Sequence, residues 1–237
     1  LLTMTTGIEE VFTRQVLEPK QEAQLKFDMP VLQKIANKVS AKVREQYEEN
    51  PYPRWVNLRL RLDSAPIFKV IKELELRLFD NTINHCEAPN ILIAGCGTGQ
   101  HSIGTASRFK NSKVLAVDLS QSSLAYAKRK TEELGLQNID YMQADILDLG
   151  KLDRKFDIIE SVGVLHHMDE PMAGWRVLTD CLKLGGLMNI GLYSELARHD
   201  IVRVRKEISQ SRIGSSDSAM KSFRIGVIRS KKHIINR

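Results

Sequence analysis

ILIAGCGTGQH, spanning Ile91 to His101, is the segment around which the rest of the chain can be ordered. Four apolar residues, Ile91, Leu92, Ile93 and Ala94, run straight into Gly95-Cys96-Gly97-Thr98-Gly99, and a helical pattern follows. A short, wholly apolar run ahead of a glycine turn reads as a central parallel strand, buried on both faces. The turn calls for glycines because its backbone must adopt conformations that a β-carbon blocks, and because a ligand must approach it closely. Nineteen residues beyond Gly99, a second apolar strand, Val114 to Val117, ends in Asp118. A carboxylate at the tip of the second strand, about twenty residues past such a turn, is placed to hold the hydroxyl pair of a ribose.

The glycine spacing narrows the ligand. Counted from Gly95, the dinucleotide fingerprint G-x-G-x-x-G requires its third glycine at position 100, where this chain has Gln100. The glycine stands one place earlier, at Gly99. A ligand with a ribose but no pyrophosphate needs the acid and the close backbone approach without that third position. A nicotinamide-dependent oxidoreductase is therefore disfavoured.

The spacing G-x-G-x-G followed by an acid resembles motifs I and II of the class I S-adenosylmethionine-dependent methyltransferases. That resemblance implies an α/β, Rossmann-like, doubly wound and mostly parallel sheet, with S-adenosylmethionine as cofactor. Gly95, Gly97 and Gly99 match motif I and would line the methionine and ribose end, with the backbone of Ala94 and Gly95 near the amino-acid moiety. Asp118 matches the motif II acid, and Leu119 would lie against the adenine face. A helix cap is the alternative role for Asp118, but Ser120 is available for that work. Asp145, in Gln143-Ala144-Asp145-Ile146, matches the motif III acid that accepts the adenine amino group, with Ile146 packing or offering its backbone N–H. Its alternative is a turn aspartate that stabilises its own loop. Glu160-Ser161-Val162-Gly163, closing the fourth strand, would form the floor near the transferable methyl.

One departure stands out. The family commonly carries an acid two positions before the first glycine, binding the methionine amino group. This chain has Ile93 there, so Glu160 or a backbone carbonyl would do that work, or affinity would be lower. Methyl transfer from a sulfonium is an in-line displacement in which the protein mainly supplies alignment and a dry site. A general base is needed only when the acceptor loses a proton. His166 and His167, in Val164-Leu165-His166-His167-Met168, are the candidates, with a loop-shaping role as the alternative. The implied activity is methyl transfer to a small-molecule or protein acceptor. An RNA methyltransferase and a non-catalytic cofactor-binding module remain as rivals.

Around this centre the chain divides into three. Residues 1–85 read as a helical N-terminal extension, residues 86–210 as the cofactor-binding domain, and residues 211–237 as a basic tail. In the extension, Ile8, Val11, Phe12, Val16 and Leu17 share one helical face. Val31, Leu32, Ile35, Val39, Val43 and Tyr47 share another, after Asp28 and Pro30 as cap and first turn. Ser64 and Pro66 open a third helix with Ile67, Ile71, Leu74 and Leu78 in register. Strands are expected at 91–94, 113–118, 138–143, 156–162 and 187–193, with helices at 99–109, 120–135, 171–182 and 195–210 between and after them. The family usually closes its sheet with two more strands; residues 211–237 leave little room, so the sheet would stop at five.

QYEENPYPRW, at 46–55, joins two extension helices through an extended path set by Pro51 and Pro53. Tyr52 and Trp55 would either anchor the extension to the core or form a lid over the pocket. Asn50-Pro51-Tyr52 echoes the Asn-Pro-Pro-Tyr motif of amino-methylating enzymes, but no strand precedes it, and that match is rejected. Together with ILIAGCGTGQHSI and SVGVLHHM, the segment resembles methyltransferase domains found downstream of tetratricopeptide repeats in bacterial proteins, over roughly residues 5 to 210. Any such repeats would lie before residue 1 and would imply a protein or peptide partner.

Composition bounds the rest. The 237 residues carry a net charge of +6, with 11 Lys and Arg against 3 Asp and Glu in residues 198–237, so that segment is +8 and residues 1–197 are −2. A basic tail could bind RNA, although no aromatic platforms accompany its charges, which favours a solvated helix face. Cys86, Cys96 and Cys181 are few, scattered and odd in number, which argues for a reducing compartment such as the cytoplasm. No Cys/His spacing suggests a metal site, and no run approaches a membrane span. The start at Leu1 and the end in a basic run read as a fragment of a longer chain.

Overall fold

A computed structural model describes residues 6–61, 63–214 and 216–229. They divide into two compact units, residues 1–192 and residues 193–237. The first unit therefore joins the N-terminal extension to the sheet, and the break falls before the helix expected at 195–210 rather than after it.

The first unit opens with helix α1 (Thr6–Phe12), a π-helical turn (Thr13–Leu17) and α2 (Glu18–Phe27), which run on without a cap between them. The apolar face expected there stays outside: Ile8, Val11, Phe12, Val16 and Leu17 are all exposed. The helix is held by charge instead. Arg129, itself buried, receives Glu18 at 3.1 Å and Glu22 at 2.9 Å, and Arg54 meets Glu22 at 3.1 Å.

Helix α3 (Lys38–Glu49) starts later than the sequence suggests. The side chain of Asn37 accepts from the backbone of Val39 at 2.9 Å and Ser40 at 3.0 Å, and so provides the cap expected of Asp28 and Pro30. Val31 and Leu32 are not helical. Leu32 N–H donates to the Gln143 carbonyl at 2.9 Å and Gln143 N–H to the Pro30 carbonyl at 2.8 Å, a short bridge that ties the extension to the third strand. Helix α4 (Ile67–Glu73) begins after Pro66 and buries Ile67, Val70 and Ile71, stopping short of Leu78.

The sheet has five parallel strands: β1 (Asn90–Ala94), β2 (Lys113–Asp118), β3 (Ile139–Gln143), β4 (Phe156–Val162) and β5 (Leu182–Gly191). Their order is β3-β2-β1-β4-β5. Ile91 to Ala94 are at most 2% exposed, as a central strand covered on both faces requires. The chain winds outward from β1 to β3, then crosses to the other side for β4, so the switch point lies between β1 and β4. Ligand sites of open α/β sheets form outside the carboxyl ends of the strands at that point. β5 begins earlier than expected because Gly185 and Gly186 lie within it, where the register slips between Phe156↔Leu182 and Ile158↔Leu187.

Three helices complete the layers: α5 (Gln100–Arg108), α6 (Gln121–Glu133) and α7 (Pro171–Asp180). Ser120 caps α6, its hydroxyl accepting from Ser123 N–H at 3.0 Å, and Gly135 ends it with φ +72°. In the second unit lie a 3-10 turn (Leu196–Arg198), α8 (His199–Gln210) and α9 (Asp217–Arg229). No strand occurs there among the described residues, and the terminal basic run at 230–237 lies outside them. No described helix is long and apolar enough to cross a membrane.

Candidate active site

At the carboxyl ends of β1, β2 and β4 lies a cavity of about 340 Å³. Its base is the glycine turn. Gly95, Gly97 and Gly99 all take positive φ, +82°, +52° and +86°, and the N–H groups of Gly95 and Cys96 both donate to the Val117 carbonyl at 2.8 and 3.0 Å. The three glycines differ in what a side chain would meet. At Gly95 a β-carbon would fall 2.3 Å from Val164, and at Gly99 2.6 Å from Ala127. Gly97 has only the Tyr52 carbonyl at 3.9 Å, so its missing side chain leaves room on the cavity side.

Asp118 ends β2 at the cavity wall. Its Oδ2 accepts from Gly97 N–H at 2.8 Å and its Oδ1 from Ser120 N–H at 3.0 Å, so the acid ties the first two strand ends together. Burial pushes its carboxyl up from the ordinary value, against the pull of the Ser120, Gly97 and Leu119 N–H groups. Leu119 lines the same wall, its carbonyl held by the Gln143 side chain at 2.8 Å.

Asp145 follows β3 and does two things at once. Its Oδ1 accepts from Leu147 N–H at 3.1 Å and caps the 3-10 helix Ile146–Leu152, as a turn aspartate would. It also lines the cavity with Ile146. Opposite, the wall after β4 is built from Val162, Gly163, Val164 and His167.

Four sequence candidates lie off the cavity wall: Ala94, Gly99, Glu160 and His166. Ala94 is fully buried at the end of β1. Gly99 faces helix α6 and lets it approach α5. The side chain of Glu160 turns away from the wall toward α5, where it accepts from Thr105 Oγ1 at 2.6 Å and pairs with His101 Nε2 at 2.9 Å. His166 is half-buried beside His167, ring centroids 4.3 Å apart, in the 3-10 turn Leu165–His167, and the pair splits between wall and support.

Other wall residues were not among the candidates. Val39, Ser40, Val43 and Tyr47 of α3, with Tyr52 and Pro53, roof the cavity. The signal for Tyr47, Tyr52 and Pro53 was the QYEENPYPRW segment, in which Tyr52 and Trp55 divide the roles. Trp55 is buried, its Nε1–H donating to the Thr98 carbonyl at 3.0 Å and its ring edge-on to Tyr126 at 6.0 Å. Tyr52 is 75% exposed at the cavity. Thr98 Oγ1 donates to the Pro53 carbonyl at 2.6 Å, so the roof is stitched directly to the glycine turn. Cys96 also lines the cavity, but burial pushes its thiol well up, which leaves a neutral wall rather than a nucleophile.

Parts of the chain are similar to known proteins. Residues 91–186 match a family model described as a methyltransferase domain. PKMT2 from Rickettsia typhi, solved in complex with AdoHcy, superposes with a TM-score of 0.52 and 20% identity over 65% of this chain and 30% of that chain, a likeness that carries the fold. An uncharacterized protein of Synechococcus sp. is 34% identical over 122 residues, 51% of this chain and 29% of that protein. A probable (S)-tetrahydroprotoberberine N-methyltransferase 2 of Papaver bracteatum is 32% identical over 82 residues, 35% of this chain and 23% of that protein. The match thus spans less than a third of either curated relative.

The methyltransferase-domain match at residues 91–186 thus falls on the glycine turn and on most of the β3-β2-β1-β4-β5 sheet. S-adenosylmethionine is the cofactor that the motif resemblance implies. The residues present fit it: the turn is open at Gly97, and two carboxylates with acceptor capacity face one cavity.

Proposed function

We propose that the chain transfers the methyl group of S-adenosylmethionine to a small-molecule or protein acceptor. The observation that carries this reading is Asp118, a half-buried carboxylate clasped by the glycine turn and turned to the same cavity as Asp145. When bound, the cofactor supplies a sulfonium methyl that is displaced in line. Asp118 would accept from the ribose hydroxyls and Asp145 from the adenine amino group, both acting as acceptor-only groups. Leu119 and Ile146 would flank the base, and Gly95 and Gly97 would bring the backbone against the ligand. His167, on the β4 side of the wall, is the group to take a proton from a hydroxyl acceptor, with His166 shaping its turn.

About 340 Å³ is small for a ligand site, so the cofactor would fill most of it and the acceptor would present a narrow reactive group at the mouth beside Tyr52. Tetratricopeptide repeats, if the longer protein carries them ahead of residue 1, would add a protein-binding surface. Cys86, Cys96 and Cys181 are free, which supports a reducing compartment such as the cytoplasm.

Incubation with cofactor labelled in its methyl group and a fractionated cell extract tests the reading. Label is expected in small molecules or protein and absent with Asp118→Ala. Label confined to RNA would overturn the acceptor class. Binding of S-adenosylhomocysteine without label in any fraction would reduce the chain to a binding module.

A further inference from the structure

Ile93 stands where an acid is absent, and its partner across the parallel ladder is Glu160. The missing carboxylate is thus supplied one strand over, but not to the cavity. It is spent on a histidine. We propose that His101, braced by Glu160, binds the carboxylate at the amino-acid end of S-adenosylmethionine. The inference rests on the cofactor reading of the cavity.

Strand order says which end of the cofactor comes here. Asp145 follows β3 and Asp118 ends β2, so the nucleoside lies over that side of the sheet. The amino-acid arm then lies over β1 and β4, where α5 begins and where His101 sits in its first turn. The N–H groups at the start of that nine-residue helix, and its dipole, favour an anion.

The charge inventory points the same way. Among the described residues the cavity wall holds two carboxylates, Asp118 and Asp145, and no Lys or Arg, so that His101 and His167 are the described wall groups that can carry positive charge. Of these, His101 is held by a buried carboxylate. Its Nε2 is 2.9 Å from Glu160 Oε2, and its Nδ1 makes no hydrogen bond among the described residues. In the doubly protonated ring Nε2–H donates to Glu160, and Nδ1–H is left to donate to a ligand.

Glu160 has no other evident task. It is 5% exposed in a strand whose other acid, Asp157, is paired with Lys183, and an ionised group there is costly unless it is paired. Its pairs are Thr105 and His101. Glu160 is accordingly a positioning residue, and His101 the binding residue.

Calorimetry with three ligands tests this: S-adenosylhomocysteine, its decarboxylated analogue, and 5′-methylthioadenosine, which lacks the amino-acid arm. Wild-type protein should prefer S-adenosylhomocysteine over the decarboxylated analogue by about ten- to a hundredfold, the range for a hydrogen bond to a charged group. His101→Ala should bring that ratio close to one and leave 5′-methylthioadenosine affinity unchanged. Glu160→Gln should lower the ratio part of the way. A wild type without the preference overturns the inference, whatever the variants do. So does a His101→Ala protein that loses affinity for all three alike, since that marks a scaffold role. In both cases the cofactor reading survives; wild type that binds none of the three overturns both.

Discussion

Burial opposes a charge on Glu160, yet hydrogen bonds from His101 and Thr105 outweigh it and hold the carboxyl below its ordinary range. A folded-state value below the unfolded one, about 4.3, adds stability that is complete above that pH and lost as pH falls through the native value. Urea unfolding of wild type and Glu160→Gln should therefore show the largest difference near neutral pH and a shrinking one through the acid range. A difference independent of pH would contradict the pairing. Asp118 has the opposite sign. Burial raises it, so the fold alone disfavours its charge, as suits a carboxylate whose donors arrive with a ligand. Neither environment could be read from sequence. Asp118 was legible because a strand end and a glycine turn fix its place; the partner of Glu160 depends on which way one side chain turns in a strand covered on both faces.

Among the elements, β2 and β4 fall where alternation of apolar runs and turn residues puts them, residue for residue. Their signal is local and strong: a short apolar run bounded by breakers. The second extension helix was misplaced because Val31, Leu32 and Ile35 keep helical spacing while the backbone before Asn37 pairs with Gln143, a tertiary contact that spacing cannot announce. The α1 to α2 face misled for a related reason. Its apolar residues stay outside, and the contact runs through Glu18 and Glu22 to Arg129. The segment between α3 and α4 joins roof to site through Trp55. Trp55→Ala should cost about 3–5 kcal/mol by urea unfolding, the range for removing a large buried side chain. Trp55→Phe, which loses the bond to the Thr98 carbonyl and part of the ring's packing, should cost less, about 1–3 kcal/mol. Equal, near-zero costs would mean that the segment is not anchored there.

At the scale of the molecule, every wall residue of the cavity lies between Val39 and Met168, within the first unit. The extension is thus part of the site, and the glycine turn, the β2 acid and the α3 roof form one enclosure for one ligand. Charge is distributed otherwise. The net +8 of residues 198–237 belongs to the second unit and stretches beyond the described residues, whereas the wall itself is acidic. The central claim is that this enclosure takes a ribose-bearing sulfonium cofactor through Asp118. Isothermal calorimetry of the whole chain with S-adenosylhomocysteine and, separately, NAD tests it most directly. Wild type should bind S-adenosylhomocysteine and not NAD, and Asp118→Ala should weaken binding by at least about tenfold. Preference for NAD, or unchanged affinity in Asp118→Ala, would contradict it.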